Sequence, residues 1–149
     1  ELLEAGADGI AIDGTIRERY DDQTLEAFIH TIKKEFSTFI IADISTVEEG
    51  VAAWNYGADM VGTTLSGYTP YSKNPLPFGQ LPSPEPDYEI IHDLCAAGVK
   101  HIVAEGRITN GVKMRKALEA GAHSVVIGTS ITEPRKIVKT ILMDAFDIV

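Results

Sequence analysis

The sequence predicts an α/β fold of the (β/α)8 TIM-barrel type, in which residues 1–149 form a single partial barrel domain. Two observations lead to this prediction. Short apolar segments alternate with helical ones, as in a parallel sheet covered by helices, and polar or glycine residues follow nearly every apolar segment. The chain supplies about the last five β/α units of such a barrel. We therefore expect an incomplete barrel, preceded by three further units upstream of Glu1.

One pattern recurs four times along the chain, at residues 3–13, 53–63, 94–105 and 118–128. Each copy reads as a helix end, a glycine and a short run rich in β-branched residues. Glycine adopts positive φ without strain and closes a helix in a left-handed cap. The apolar runs fit the buried strands of a parallel sheet. A fifth strand, at 39–43, has the same character but lacks the preceding glycine.

Helices are predicted between these strands, and two of them carry recognisable starts. Ser45 and Glu48 have the spacing of a capping box at the second helix. Asp87, which follows a proline, is a candidate N-cap for the third. The predicted helices span residues 24–35, 46–56, 87–97, 111–120 and 133–146.

The alternation of strands and helices fits both a closed barrel and an open doubly wound sheet. The residues that follow the strands favour the closed barrel. In a barrel, the C-terminal ends of all strands meet at one mouth. An open sheet places its site mainly at one switch point. The polar or glycine-containing strand ends lie at 13–15, 43–45, 63–66, 105–107 and 128–130.

Composition excludes several classes of function. The net charge is −9, with acids and bases interspersed, which argues against nucleic acid and against an anionic membrane surface. No apolar run approaches the about 20 residues of a membrane span. Cys95 is the single cysteine, so no internal disulfide forms, and we expect a cytoplasmic protein. The four histidines show no metal-ligand spacing, so we expect no metal site, and the sequence contains no P-loop or G-x-G-x-x-G motif.

The segment 67–86 differs from the rest, since it holds six of the seven prolines. Proline interrupts both helices and central strands. A long irregular segment in a compact domain is often a lid or a binding loop, but an ordinary surface loop fits equally well.

Two strand-end segments are candidates for a phosphate site. Gly128, Thr129 and Ser130 join the last strand to the last helix, where backbone N–H groups can approach an anion. Gly106 and Arg107 lie one β/α unit upstream, and a guanidinium adds charge-assisted hydrogen bonds. Barrels often bind phosphate between their last two loops. The alternative is ordinary strand-to-helix turn chemistry.

Two carboxylates are candidates for catalysis. Glu105 follows the apolar strand at 101–104, so its side chain should lie at the barrel mouth, where partial burial favours proton transfer. The alternative is a carboxylate held in an ion pair with Arg107 or a lysine. Asp43 ends the second strand and could bind sugar hydroxyls or orient a catalytic group. It could equally cap the helix that starts near Ser45.

Five strings now support a family resemblance that extends over nearly the whole chain. They are GADGIAIDGT (6–15), ADISTVEEG (42–50), GTTLSGYTPYSK (62–73), AEGRI (104–108) and GTSITEP (128–134). Together they resemble the N-acetylmannosamine-6-phosphate 2-epimerases, bacterial enzymes of sialic acid and aminosugar catabolism. The third string is the most specific.

The resemblance implies a (β/α)8 barrel and an isomerase. Its reaction inverts C2 of N-acetylmannosamine 6-phosphate, giving N-acetylglucosamine 6-phosphate, without a metal or nucleotide cofactor. Glu105 matches the catalytic carboxylate, and Asp43 matches a substrate-binding or orienting one. Gly106, Arg107, Gly128, Thr129 and Ser130 fall where such enzymes hold the phosphate.

The sequence departs from the family in ways that keep alternatives open. The family's catalytic lysine and a substrate-binding arginine come from segments before this chain begins, so we expect the 149 residues alone to be inactive. The segment 74–84 is longer than usual, and 109–112 departs from the usual helix start. The alternatives are another phosphosugar isomerase or synthase of the phosphate-binding barrel group, or a truncated scaffold. Open sheet edges favour pairing into a homo-oligomer.

Overall fold

A computed structural model gives the fold of residues 1–19, 22–73, 75 and 85–146, in which five strands alternate with helices. The strands are Gly9–Asp13 (β1), Phe39–Asp43 (β2), Met60–Gly62 (β3), Ile102–Glu105 (β4) and Ser124–Val126 (β5). The helices are Leu25–Glu35 (α1), Val47–Asn55 (α2), Tyr88–Ala96 (α3), Gly111–Glu119 (α4), Thr129–Thr132 (α5) and Pro134–Phe146 (α6).

All the strands belong to one sheet in the order β1-β2-β3-β4-β5, and each neighbouring pair is parallel. A doubly wound sheet reverses its strand order at a switch point, and no such reversal occurs among the strands of the described residues. The α/β barrel type predicted from the strand ends is therefore confirmed. The predicted glycine caps are confirmed as well, since Gly6, Gly57, Gly98 and Gly121 have φ between +91° and +111°.

The core lies between the helices and one face of the sheet. Alternate residues of β2 show this clearly: Ile40 and Ala42 are buried against the helices, whereas Phe39 and Asp43 on the other face are partly exposed. Ile91 and Leu94 of α3 complete the buried layer. Complete burial of each such aliphatic side chain contributes about 1.5–3 kcal/mol, so this layer fixes where the strand ends lie.

The predicted capping box of α2 is wrong by one residue. Thr46 retains extended backbone (φ −134°, ψ 163°), so the helix starts at Val47 and the third helical residue is Glu49. Thr46 accepts a hydrogen bond from the Glu49 N–H at 3.2 Å, and the Glu49 carboxylate accepts from the Thr46 N–H at 3.0 Å. The N-cap predicted at Asp87 is confirmed, because Asp87 accepts from the Ile90 N–H at 3.1 Å.

Glu49 also joins three strand-end segments. Its carboxylate is buried and accepts hydrogen bonds from the N–H and hydroxyl of Ser45, and from the N–H of Ile16 in the loop after β1. The Ser45 hydroxyl accepts in turn from Thr69, which follows β3. The loops after β1, β2 and β3 are thereby tied to one carboxylate.

The lid-or-loop interpretation of 67–86 falls mainly on residues 74 and 76–84, which lie outside the described residues. Residues 63–65 form a 3₁₀ turn, after which Ser66, Thr69 and Ser72 are buried. At the other end, α6 has no buried residue among those described. Within the described part of the chain, no helix is long and apolar enough to cross a bilayer.

Candidate active site

The candidate site lies at the carboxyl ends of the parallel strands, which share one edge of the sheet. Strand register places Asp13 beside Asp43 and Glu105 beside Val126. Three acidic side chains therefore end strands at the same edge, as the sequence predicted for Asp43 and Glu105.

A single hydroxyl connects two of these acids. Thr64 Oγ1 lies 2.7 Å from Asp43 Oδ1 and 3.2 Å from Glu105 Oε2. Thr64 belongs to the 3₁₀ turn directly after β3, between the strands that carry the two carboxylates. Asp43 and Glu105 therefore meet through this hydroxyl.

Glu105 is held by its backbone rather than by an ion pair. Its N–H donates to Thr63 Oγ1, and its carbonyl oxygen accepts from the same hydroxyl, both at 3.1 Å. Arg107 turns away and donates from Nη1 to the Ser66 carbonyl at 2.9 Å. Among the described residues Glu105 forms no salt bridge, so the ion-pair alternative is wrong. The partly buried carboxylate is available to a ligand.

Asp43 does not cap α2, because Thr46 and Glu49 satisfy the first turn of that helix. The capping alternative is therefore wrong. Burial raises the pKa of Asp43 above its ordinary value of 3.8, the hydrogen bond from Thr64 opposes this rise, and the negative charge of Asp13 adds to it. The protonated form of Asp43 is thus favoured relative to an exposed aspartate.

The raised pKa of Asp43 predicts a pH-dependent effect on stability. An acid whose pKa is higher in the folded than in the unfolded chain keeps its proton to a higher pH in the folded state. Its contribution to stability therefore falls as pH rises from the unfolded-state pKa through the folded-state pKa. Asp43→Asn has no proton to lose. We expect the thermal unfolding temperature of Asp43→Asn minus that of wild type to be larger at neutral pH than at strongly acidic pH. An equal difference at both pH values would contradict the raised pKa.

A cavity of about 620 Å³ opens beside Glu105. Its walls bring together the two segments that the sequence identified for phosphate, Gly106-Arg107 and 128–130. Asp43 does not line it but contacts Thr64, which does. The described lining residues are Thr64, Tyr68, Glu105, Gly106, Arg107, Ile108, Thr109, Lys113, Val126, Ile127, Gly128, Thr129, Ser130 and Lys136.

The backbone at the cavity wall has an uncommon conformation. Gly106 has φ +104°, and Arg107 follows with φ +61°, which few non-glycine residues adopt. This turn directs the guanidinium to Ser66 and leaves Arg107 Nε buried without a hydrogen-bond partner among the described residues. A buried unsatisfied donor costs about 1–3 kcal/mol. A ligand that accepts from this guanidinium would recover part of that cost.

Several residues of the site were not identified from the sequence. Lys113 and Lys136 line the cavity, each from the first turn of a helix, and Lys113 is paired with Glu85 at 3.3 Å. Thr63 and Thr64 were among the polar residues noted at the strand ends, but their hydrogen bonds to Glu105 were not predicted. These bonds join residues about 40 positions apart, so no local sequence pattern indicates them. The two lysines could have been identified from the sequence as basic residues that follow shortly after the last two strands.

A second cavity, of about 950 Å³, lies between the loop after β1 and α2. None of the acidic strand ends Asp13, Asp43 and Glu105 is among its described lining residues, and Asp13 is paired with Arg17 at 3.4 Å. In the described part of the chain, no group of three or more acidic, histidine or cysteine side chains is placed to hold a metal ion. The cavity of about 620 Å³, which Glu105 lines, is therefore the candidate active site.

Comparison with known proteins gives consistent similarities. The profile of a family described as "NanE: Putative N-acetylmannosamine-6-phosphate epimerase" matches residues 1–145. Two curated relatives, from Cutibacterium acnes and Caldanaerobacter subterraneus, are named "Putative N-acetylmannosamine-6-phosphate 2-epimerase". They are each 43% identical, over 89% and 93% of this chain.

A solved structure, that of the N-acetylmannosamine-6-phosphate 2-epimerase from Clostridium perfringens, matches 99% of this chain with a TM-score of 0.82 and 37% identity. The chain covers 59% of that structure and 56% of each of the two curated relatives. It thus spans little more than half the length of the proteins it matches.

Proposed function

We propose that this chain, which belongs to the N-acetylmannosamine-6-phosphate epimerase family, forms the phosphate-binding and carboxylate-bearing part of an N-acetylmannosamine-6-phosphate 2-epimerase. The full-length protein, meaning the product of the complete reading frame, would interconvert N-acetylmannosamine 6-phosphate and N-acetylglucosamine 6-phosphate. We place this reaction in the cytoplasmic catabolism of sialic acid and aminosugars.

The chemistry of C2 inversion explains why acids and an anion site belong together. C2 of the open-chain sugar lies next to the C1 aldehyde, so removal of its proton gives an enolate. Return of a proton on the opposite face gives the epimer. This requires acid/base groups and stabilisation of the developing oxyanion, while the remote phosphate supplies binding energy that orients C2.

One observation carries the proposal: Glu105 and both candidate phosphate segments line the same cavity. Glu105 is the proposed acid/base group and Asp43 its supporting carboxylate. Arg107, with the backbone of Gly106 and of Gly128 to Ser130, is proposed to hold the phosphate. Lys136 adds positive charge at the same wall, where Lys113 is paired with Glu85 at 3.3 Å.

The function is tested by incubating the full-length protein with N-acetylmannosamine 6-phosphate in D2O. We expect conversion to the glucosamine epimer with deuterium incorporated at C2, followed by proton NMR. A panel of other sugar phosphates is the control. Turnover of another sugar phosphate, without C2 exchange in this one, would favour a different isomerase of the barrel group.

Arg107→Ala should weaken anion binding. Loss of charge-assisted hydrogen bonds from one guanidinium costs about 1.5–3 kcal/mol, or about 10- to 150-fold in the dissociation constant. The measurement is a titration of the 149-residue chain with inorganic phosphate, followed by amide NMR shifts of residues 106–108 and 128–130. Arg115→Ala, which removes the same charge from an exposed position of α4, is the control. Equal phosphate affinity in both variants would contradict the assignment.

Gly62→Ala should impair the reaction without unfolding the chain. A Cβ at this position would lie 2.7 Å from Asp43 Oδ1 and 3.1 Å from Thr64 Oγ1, so both groups would have to move. Misplacement of a reacting constellation by about 1 Å can cost on the order of 100-fold in rate. We expect slower C2 exchange in the full-length protein with a near-normal circular dichroism spectrum. Unchanged exchange would show that the placement of Asp43 does not matter.

A further inference from the structure

We propose that Ser72 and Thr69 are positioning residues for Arg107. Their hydroxyls hold the peptide between Ser66 and Gly67 in the orientation that presents its carbonyl oxygen to the guanidinium. The inference deepens the proposed function, and its meaning for phosphate binding rests on that function. The contacts themselves involve no substrate.

Residues 65–68 form a type II turn. Ser66 has φ −59° and ψ 122°, and Gly67 has φ +86°, as expected for the two central residues of such a turn. The Tyr68 N–H donates to the Leu65 carbonyl at 2.9 Å, which closes the turn. A type I turn, the commoner form, has ψ of about −30° at its first central residue, so its central peptide faces the opposite way. The direction of the Ser66 carbonyl therefore depends on which turn the chain adopts.

Two side chains hold this central peptide, one at each end. The Gly67 N–H donates to Ser72 Oγ at 3.0 Å, and the Ser66 carbonyl accepts from Arg107 Nη1 at 2.9 Å. Because a trans peptide is planar, its N–H and C=O point in opposite directions, so a bond that fixes the N–H also fixes the carbonyl. Glycine permits the type II turn but does not impose it, since it adopts φ of either sign. Ser72 thus supplies the interaction that selects the turn and directs the carbonyl to Arg107.

A chain of buried groups orients the Ser72 hydroxyl. Ser45 donates its hydroxyl proton to the Glu49 carboxylate at 2.8 Å, and Thr69 donates to Ser45 Oγ at 2.7 Å. Each hydroxyl carries one proton, so Ser72 must be the donor in its contact of 3.1 Å with Thr69. The Ser72 lone pairs are then left to accept from the Gly67 N–H. The hydrogen bonds therefore run in one direction, from a backbone N–H to a carboxylate.

Burial makes this chain of hydrogen bonds costly to interrupt. The three hydroxyls and the Glu49 carboxylate belong to side chains that are at most 6% exposed. A buried polar group that loses its partner destabilises the fold, whereas a network with every group satisfied favours one arrangement. A second turn brings the last two hydroxyls together, since the Ser72 N–H donates to the Thr69 carbonyl at 3.2 Å. The network therefore favours a single conformation of the loop after β3.

The held carbonyl prepares Arg107 for a ligand. It engages one terminal nitrogen of the guanidinium, while Arg107 Nε stays buried without a hydrogen-bond partner among the described residues. Arg107 also lines the cavity of about 620 Å³. A side chain that is already ordered loses less conformational freedom when a ligand binds. We therefore expect a rotated peptide at 66–67 to weaken phosphate binding even though the arginine remains.

The positioning is tested first without a ligand, by 15N NMR of the Arg107 side chain in the full-length protein. Ser72→Ala leaves the Gly67 N–H without its acceptor, so we expect the Arg107 Nε–H resonance to shift and its hydrogen to exchange faster with solvent. Thr69→Val, which keeps the shape but removes the hydroxyl, should act in the same direction, and Thr69→Ser should restore the wild-type signal. Thr31→Val removes an exposed hydroxyl of α1 and is the control. An Arg107 resonance unchanged in the folded deletion variants would overturn the inference. If Ser72→Ala unfolds, Thr69→Val decides.

Phosphate binding gives a second readout, by calorimetric titration of the full-length protein with inorganic phosphate. We expect Ser72→Ala to raise the dissociation constant by about 3- to 10-fold, the effect of one hydrogen bond. In an Arg107→Ala background the same substitution should cause no further loss, because it acts through Arg107. An equal loss in both backgrounds would refute the positioning role. A wild type that binds no phosphate or inverts no C2 would refute the proposed function, while the Arg107 resonance still decides the positioning.

Discussion

Glu105→Gln is expected to abolish hydrogen exchange at C2 of N-acetylmannosamine 6-phosphate in the full-length protein. Loss of a positioned acid/base group lowers a rate by about 10²- to 10⁴-fold. Glutamine has nearly the same shape, and its side-chain oxygen can still accept from Thr64, but it cannot take up a proton. Because the Glu105 backbone is held by Thr63, the phosphate segments should keep their positions and anion affinity should stay close to that of wild type.

The measurement for Glu105→Gln pairs two assays. Proton NMR in D2O follows exchange at C2, and a phosphate titration follows the anion site. Glu119→Gln, on an exposed position of α4, is the matched control and should leave both unchanged. Exchange at the wild-type rate in Glu105→Gln would remove this residue from the mechanism.

Gly50→Ala is expected to destabilise the fold, because its added Cβ has the shortest contact found at any described glycine. A Cβ at this position of α2 would lie 2.5 Å from Leu94 Cδ2 and 3.1 Å from Val61 Cγ1. Both neighbours are fully buried, so neither can move without disturbing the core. Overpacking of this kind costs about 1–3 kcal/mol, more than the helix propensity gained on replacing glycine by alanine.

The control for Gly50→Ala is Gly111→Ala, at the first position of α4, where an added Cβ meets nothing within 4 Å. This variant should be neutral or stabilised by up to about 1 kcal/mol. Urea unfolding of both variants provides the comparison. Equal midpoints would show that α2 can shift away from β3 and α3.

The fold was predictable from local features. Each glycine cap, with the β-branched run after it, marks a boundary through interactions within a few residues, and four of the five strands follow such a cap. The capping box of α2 was misplaced because Ser45 and Thr46 are chemically similar. Both residues donate to the Glu49 carboxylate, and the extended backbone of Thr46 makes it the N-cap, with the helix starting at Val47.

The candidate site was partly predictable. Glu105 to Arg107 and Gly128 to Ser130 follow neighbouring strands, so parallel pairing alone brings them to one cavity. The bridging position of Thr64 depends on the register of three strands at once. The direction of Arg107 depends on its positive φ and on the Ser66 carbonyl. Neither feature leaves a pattern in the nearby sequence.

The agreement between strand order and chain order also bears on how the protein is made. In the described part of the chain, each of β2 to β5 pairs with the strand that precedes it in sequence, so each new β/α unit can dock on the sheet edge as it leaves the ribosome. Sheet contacts between sequence neighbours shorten the loops that must close, which speeds folding. We therefore expect nascent chains arrested after successive units to gain protease resistance in steps, from the N-terminus onward.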